Sequence, residues 1–236
     1  MNMMFFKWLL LTFTSMLLIS CQSQPIKSEN SASSNEIYYA YLNGGESKTA
    51  VILCHGKGKY PTWKVVDPLR KAIHSELGFH TLSLQMPKDD VRWDDYANFF
   101  PEAHANIAKA IQVLKTEKGV ETVYLMGHSM GSRMASSFKP EAHNTQINGL
   151  IIAGCRNNGG EPLSCIANVK NRALPILDIW GEGDVKDDQS ASERKTLQSP
   201  HYQQVQISGA NHKFDGYDFE LNGAVIQWLK AQSLGN

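Results

Sequence analysis

A chain of 236 residues, 42% of them hydrophobic, is long enough to bury one sizeable core but short for a second domain of ordinary size. Its 23 basic and 23 acidic residues balance, so charge gives no case for nucleic-acid binding or for attraction to an anionic membrane surface. The eight histidines are scattered and the four cysteines form no C-x-x-C pair, so neither a metal nor another cofactor is expected.

The first twenty residues, MNMMFFKWLLLTFTSMLLIS, carry one charge at Lys7 ahead of an apolar stretch, the organisation of a secretory signal rather than of a core element. The stretch is short for a spanning helix, ends in LLIS and runs into Cys21. A small residue before a cysteine at that place resembles the bacterial lipobox. The resemblance implies that Cys21 becomes the lipidated first residue of an exported, membrane-anchored lipoprotein. An ordinary cleaved signal and an uncleaved anchor are the alternatives. Gln22 in place of an aspartate points, by the same resemblance, to the outer membrane, with the domain facing the periplasm. Cleavage before Cys21 takes 20 of the 236 residues and leaves 216; losing Lys7 with them leaves 22 basic against 23 acidic residues. Residues 21–36 are polar and rich in Ser and Asn, which predicts a flexible tether, and residues 37–236 are predicted to form a single domain.

Beyond the tether, apolar runs of strand length alternate with helical patterns. NEIYYAYLNG reads as an antiparallel edge strand and TAVILCHG as a buried one. WKVVDPLRKAIHSEL has an apolar face at Val65, Val66, Leu69, Ala72, Ile73 and Leu77, so Pro68 lies in the first turn of that helix or kinks it. FHTLSLQMP is the next strand. ANFFPEAHANIAKAIQVLKTEKG then contains a helix with a stripe at Ile107, Ala110, Ile111 and Leu114, closed by Gly119. TVYLMG, INGLIIAG, LPILDIWGEGD and YQQVQISG read as strands; SMGSRMASSF, a polar stretch near DQSASERKTLQ, and FELNGAVIQWLK read as helices. This alternation predicts an α/β fold, a mostly parallel central sheet with helices on both faces. Ligands then bind beyond the carboxyl ends of the strands.

Within LMGHSMGSRM, Ser129 stands between Gly127 and Gly131, where the apolar run of Val123 to Met126 gives way to a helix. A G-x-S-x-G stretch is a weak signal alone, but a buried strand turning sharply into a helix is the context a nucleophilic serine needs. The flanking glycines keep a crowded apex free of side chains. Such a serine requires a base, a group that orients the base, and N–H donors for a developing oxyanion. The loop after LPILDIWGEGD carries Asp184 and the loop after YQQVQISG carries His212, which gives the order Ser, Asp, His. Asp187 and Asp188 rival Asp184, but are expected to face solvent or cap the following helix, and Asp178 lies inside a strand. The backbone N–H groups of Met130 and, in HGKG, of Lys57 are the oxyanion candidates. His55 and His128 flank the site as packing residues. Trp63, Trp93, Tyr96, Phe99 and Phe100 are candidates for a pocket lining, each more readily explained by core packing. Cys155 and Cys165 flank RNNGGEPLS and can close a short loop as a disulfide, which leaves Cys54 unpaired and buried.

HGKG, GHSMG, GEGD and GANHKF, in this order over residues 51–214, resemble the α/β-hydrolase superfamily. More narrowly, VILCHGKGKYPTW, PLRKAI and TLSLQMP resemble a domain-of-unknown-function family of bacterial α/β-hydrolase-fold proteins whose substrates are not established. The resemblance implies a catalytic triad of Ser129, Asp184 and His212, and hence a serine hydrolase acting on an ester or related acyl bond of a small-molecule substrate. A non-catalytic binding or scaffold lipoprotein that keeps the fold is the alternative. A thiol-dependent role for Cys155 and Cys165 matches no redox spacing. Only residues 154–174 separate two successive strands where lipid-active relatives insert a cap, and that segment is short and polar. Little or no cap, and preference for short acyl chains, are therefore expected.

Overall fold

The computed structural model describes residues 39–87, 91–141 and 143–234. The predicted signal, Cys21 and the tether lie outside them. Among the described residues, seven strands form one sheet: β1 (Tyr39–Leu42), β2 (Thr49–Cys54), β3 (His80–Leu84), β4 (Thr122–His128), β5 (Gly149–Ala153), β6 (Ile176–Gly181) and β7 (Tyr202–Ile207). Their order is β1-β3-β2-β4-β5-β6-β7. Every neighbouring pair is parallel except β1 with β3, where Tyr39 faces Leu84 across an antiparallel edge. Parallel strands need crossovers, and five helices supply them: α1 (Val66–Leu77), α2 (Phe100–Lys118), α3 (Met130–Ser137), α4 (Cys165–Val169) and α5 (Val185–Arg194); a sixth, α6 (Asp218–Leu234), follows β7.

The near-continuous apolar strands follow from a sheet covered on both faces. Along β2, Ala50, Ile52 and Cys54 enter one core and Val51 and Leu53 the other; along β4, Val123 and Leu125 oppose Tyr124 and Met126. The first core packs under α2, α3 and α4 through Ile107, Ile111, Met134 and Val169. The second packs under α1 and α6 through Leu69, Ile73, Val225 and Leu229. Pro68 sits in the first turn of α1, where its missing N–H costs nothing, and Gly78 ends that helix in the left-handed conformation. Asp178 breaks the apolar pattern of β6, yet it is fully buried because the Arg194 guanidinium grips both of its oxygens, at 2.8 and 3.0 Å. Tyr202 and Gln204 donate to the same carboxylate. That network ties the carboxyl end of α5 to β6 and β7.

Candidate active site

The end of β4 is built as a sharp elbow. Ser129 has φ +57° and ψ −118°, a conformation that costs an L-residue roughly 1–3 kcal/mol and persists only where the surroundings impose it. The surroundings are backbone. A Cβ on Gly127 would collide with the Gly131 carbonyl, and one on Gly131 with the carbonyl of Cys54. The Ser129 N–H is tied to the Ala153 carbonyl at the end of β5, 2.9 Å away. The two flanking glycines are thus required by close approach of chain to chain, and they leave the serine alone at the apex.

The loop after β7 delivers His212. The Asn211 side chain accepts from the N–H groups of Lys213 and Asp215, and Phe214, at φ +53°, is locked into the second core, so the turn holds His212 in place. His212 Nε2 lies 2.9 Å from Ser129 Oγ, and Nδ1 lies 2.6 Å from an oxygen of Asp187. A carboxylate only accepts, so Nδ1 carries the proton and Nε2 is the lone pair facing the serine hydroxyl. Gly154, at φ +56°, closes the floor: a Cβ there would come within 3.0 Å of His212 Nδ1 and 3.1 Å of Asp187 Oδ2.

The acid beside His212 is therefore Asp187, and the expectation of Asp184 is corrected. Helix α5 starts directly after the GEGD turn, with Asp184 as its N-cap; the Asp184 carboxylate accepts from the N–H groups of Lys186 and Asp187. An N-cap lies outside the helix and points back along it. The residue three positions on is carried round to the inner face, where Asp187 is fully buried and Asp184 is not. Asp188 instead accepts from the Trp180 indole. Burial alone would push the Asp187 carboxyl up. The hydrogen bond and charge of His212, and those of Arg156, outweigh burial and hold it below the usual carboxylate range.

Arg156, which sequence reasoning missed, donates Nε–H to the second Asp187 oxygen at 2.7 Å and Nη2–H to both Asp184 oxygens at 3.0 and 3.1 Å. Asp184, Asp187 and His212 offer potential ligand atoms within 4.8 Å of one another. Those atoms are already engaged by the guanidinium and by each other.

The turn after β2 lies against Ser129, since a Cβ on Gly56 would be 3.2 Å from the Ser129 Cβ. His55 is buried and pins this turn: Nδ1–H donates to the Gly56 carbonyl at 2.8 Å, while Nε2 accepts from the Met86 N–H at 3.0 Å. Lys57 follows Gly56, and its ammonium turns away to the Val91 carbonyl, 2.6 Å distant, and over the ring of Tyr96. Met130 is the first residue of α3, so its N–H has no acceptor within the helix. Cys155 and Cys165 are joined by a disulfide, and Cys54 is free and buried. Of the aromatic candidates, Tyr96 and Phe100 are buried in the core. Trp63 and Phe99 pack against the two cores, and Trp93 lines an open cleft with Arg156, Asn158 and Lys186.

A second serine–histidine contact, Ser137 Oγ to His104 Nε2 at 2.9 Å, does not share this chemistry. The same Nε2 faces the Met134 carbonyl at 3.2 Å, so it carries a proton and cannot accept one from Ser137.

A family model described as the alpha/beta hydrolase family matches residues 74–223. No curated protein sequence matches the chain. Est1E from Butyrivibrio proteoclasticus is 18% identical, with a TM-score of 0.67 over 84% of this chain and 95% of that one. An alpha-beta serine hydrolase homologue from Coxiella burnetii is 22% identical, with a TM-score of 0.64 over 85% of this chain and 100% of that one. A Xanthomonas campestris protein described as a serine hydrolase without lid is 16% identical, with a TM-score of 0.60 over 84% and 98%. At these identities the solved structures share the fold, and with a family match over more than half of the chain, from α1 through β3–β7 into α6, the chain belongs to the alpha/beta hydrolase family.

Proposed function

We propose that this chain is a serine hydrolase that cleaves small or short-chain carboxylic esters through an acyl-enzyme at Ser129. The observation that carries the reading is the unbroken relay from Ser129 through His212 to Asp187, at 2.9 and 2.6 Å, set on a strained elbow. As Ser129 Oγ forms its bond to the ester carbon, His212 Nε2 takes the hydroxyl proton, and Asp187 stabilises the imidazolium without itself being protonated. The carbonyl oxygen, now negative, is met by the N–H groups of Met130 and Lys57. Collapse of the tetrahedral adduct breaks the bond to the alcohol, which leaves with the proton from His212. A water molecule then gives a proton to His212 and attacks the acyl carbon; as the bond to Ser129 Oγ breaks and the acid leaves, His212 returns that proton to Oγ and restores the serine.

Substrate size is read from the site's surroundings. The segment of residues 154–174 turns Leu163, Cys165 and Val169 into the core beneath α3, which leaves it little apolar surface for a long acyl tail. The cleft beside Arg156, about 570 Å³, does not include Ser129 or His212, but its walls of Asn157, Asn158, Lys186, Gln189 and Trp93 make the surface next to the site polar, which favours a small polar ester over a long acyl tail. The Xanthomonas relative described as lidless and Est1E, solved with ferulic acid bound, are in keeping with an uncapped site open to small acids and their esters. A series of p-nitrophenyl esters tests this. Turnover is expected to be greatest for acetyl and butyryl, to fall toward palmitoyl, and to drop roughly 10⁴–10⁶-fold in Ser129→Ala. Turnover that rises with chain length contradicts the substrate class, and turnover retained in Ser129→Ala contradicts the mechanism.

A further inference from the structure

Arg156 is not needed to complete a serine, a histidine and an acid, yet it is the most heavily engaged side chain next to them. The Asp187 carboxylate is fully buried, and a buried carboxylate is costly unless its oxygens are met by donors. His212 supplies a donor to one oxygen and Arg156 Nε–H to the other, while Nη2 of the same guanidinium is held by both oxygens of Asp184. The planar fork thus spans the N-cap of α5 and the acid one turn inside it, and fixes the carboxylate's plane relative to the imidazole.

The segment that carries Arg156 is itself braced. The Arg156 carbonyl accepts from the Cys165 N–H at 3.2 Å, Cys155 and Cys165 are joined, and the Cys155 carbonyl accepts from Arg194 at 2.6 Å. Asn157 bonds the Ser190 carbonyl and Glu193 of α5, and Asn158 is gripped by Arg133 of α3. The short insert after β5 does not cover the site. It presents a guanidinium to it from the side.

We propose that Arg156 is a positioning residue of the triad: it fixes the orientation of Asp187 against His212 and shares the carboxylate's charge. This rests on the hydrolase reading for its catalytic meaning, but its electrostatic content does not. The charged and titratable groups facing His212 are Asp187 and Asp184 from α5, Arg156 from the insert and His128 from β4. Burial and the neighbouring His212 push His128 down to about 4, so between pH 5 and 8 it stays neutral and does not confuse the titration. Removing a cation beside His212 and its partner favours the imidazolium; removing an anion disfavours it.

The test follows the His212 ring signals by NMR across pH 5–8, together with the rate of Ser129 labelling by a fluorophosphonate. In Arg156→Gln the titration midpoint is expected to move up by about one pH unit, with Arg156→Lys recovering part of the shift. In Asp184→Asn, which keeps a competent N-cap, the midpoint is expected to move down by a smaller amount. This second variant carries the test if Arg156→Gln does not fold. Opposite shifts in the two variants support the proposal; a midpoint unmoved by either overturns it. Absence of Ser129 labelling in the unaltered protein is a separate result, which counts against the hydrolase reading and leaves the midpoint comparison intact.

Discussion

His128 immediately precedes Ser129 and packs against His212, with ring centroids 5.2 Å apart, yet it cannot serve as a second base for the proposed chemistry. Its Nε2–H donates to the His212 carbonyl at 2.8 Å, which leaves Nδ1 as a lone pair buried without a partner among the described residues. Protonation there would place a charge in the core beside His212 and Arg156. Burial first, and the His212 charge second, therefore hold the ring neutral down to about pH 4. The unfolded chain protonates the same ring near 6.5, so it binds more protons than the folded chain between those values. Stability from this residue is complete above pH 6.5 and declines as pH falls to 4, by up to about 3 kcal/mol. His55, His80 and His104 are lowered in the same direction, so the protein as a whole loses stability over this window. Urea titrations at pH 7 and pH 4.5 isolate the His128 share. His128→Asn, which retains a donor for the His212 carbonyl, is expected to lose about 2–3 kcal/mol less than the parent between the two pH values. An identical decline in both proteins contradicts the assignment.

Helix α5 shows how the placement of one element decides which aspartate meets His212. Its buried stripe is Asp187, Ser190, Ala191 and Arg194, a clean i, i+3, i+4, i+7 pattern written mostly in polar letters. A hydropathy reading passes over it and starts the helix at DQSASERKTLQ, which leaves Asp187 in an apparently solvated turn. The usable signal was local: an aspartate directly after a Gly-x-Gly turn is a strong N-cap, and the residue three positions later faces inward. The apolar elements behave differently. The central strands were legible because both of their faces are buried and apolar, α1 and α2 because each carries one apolar stripe, and the elbow and His212 because a glycine-flanked serine and a strand-end histidine are visible as local patterns. Arg156 was not legible, because a guanidinium acquires its role only when the insert folds back on α5. The two aspartates separate cleanly by mutation. Asp187→Asn is expected to lower kcat on the order of 10⁴-fold, by removing the acceptor that fixes the imidazole tautomer. Asp184→Asn keeps the cap and is expected to cost less than about tenfold. The reverse ranking in steady-state assays on a p-nitrophenyl ester would return the acid to Asp184.

At the scale of the whole molecule, five loops from the carboxyl edge of one sheet converge on a single point. Strand order brings this about: β4 is central, so Ser129 is flanked by the turn after β2 on one side and by the ends of β5, β6 and β7 on the other. Ser129, Arg156, Asp187 and His212 span more than eighty residues of sequence, yet each is the product of a strand that ends at the same edge. The strain at Ser129 is sustained by the neighbouring backbone, because a Cβ on Gly127 would meet α3 and one on Gly131 would meet the end of β2. Such an arrangement is expected to make one serine hydroxyl more reactive than all others in the chain. The most direct measurement is therefore to treat the purified protein with a fluorophosphonate and map the adduct by peptide mass spectrometry, alongside His212→Ala. One adduct, on Ser129, formed rapidly in the parent and at least 10³-fold more slowly in His212→Ala, is the expected result. No adduct, an adduct on another serine, or equal labelling without His212 would contradict a triad nucleophile at this elbow.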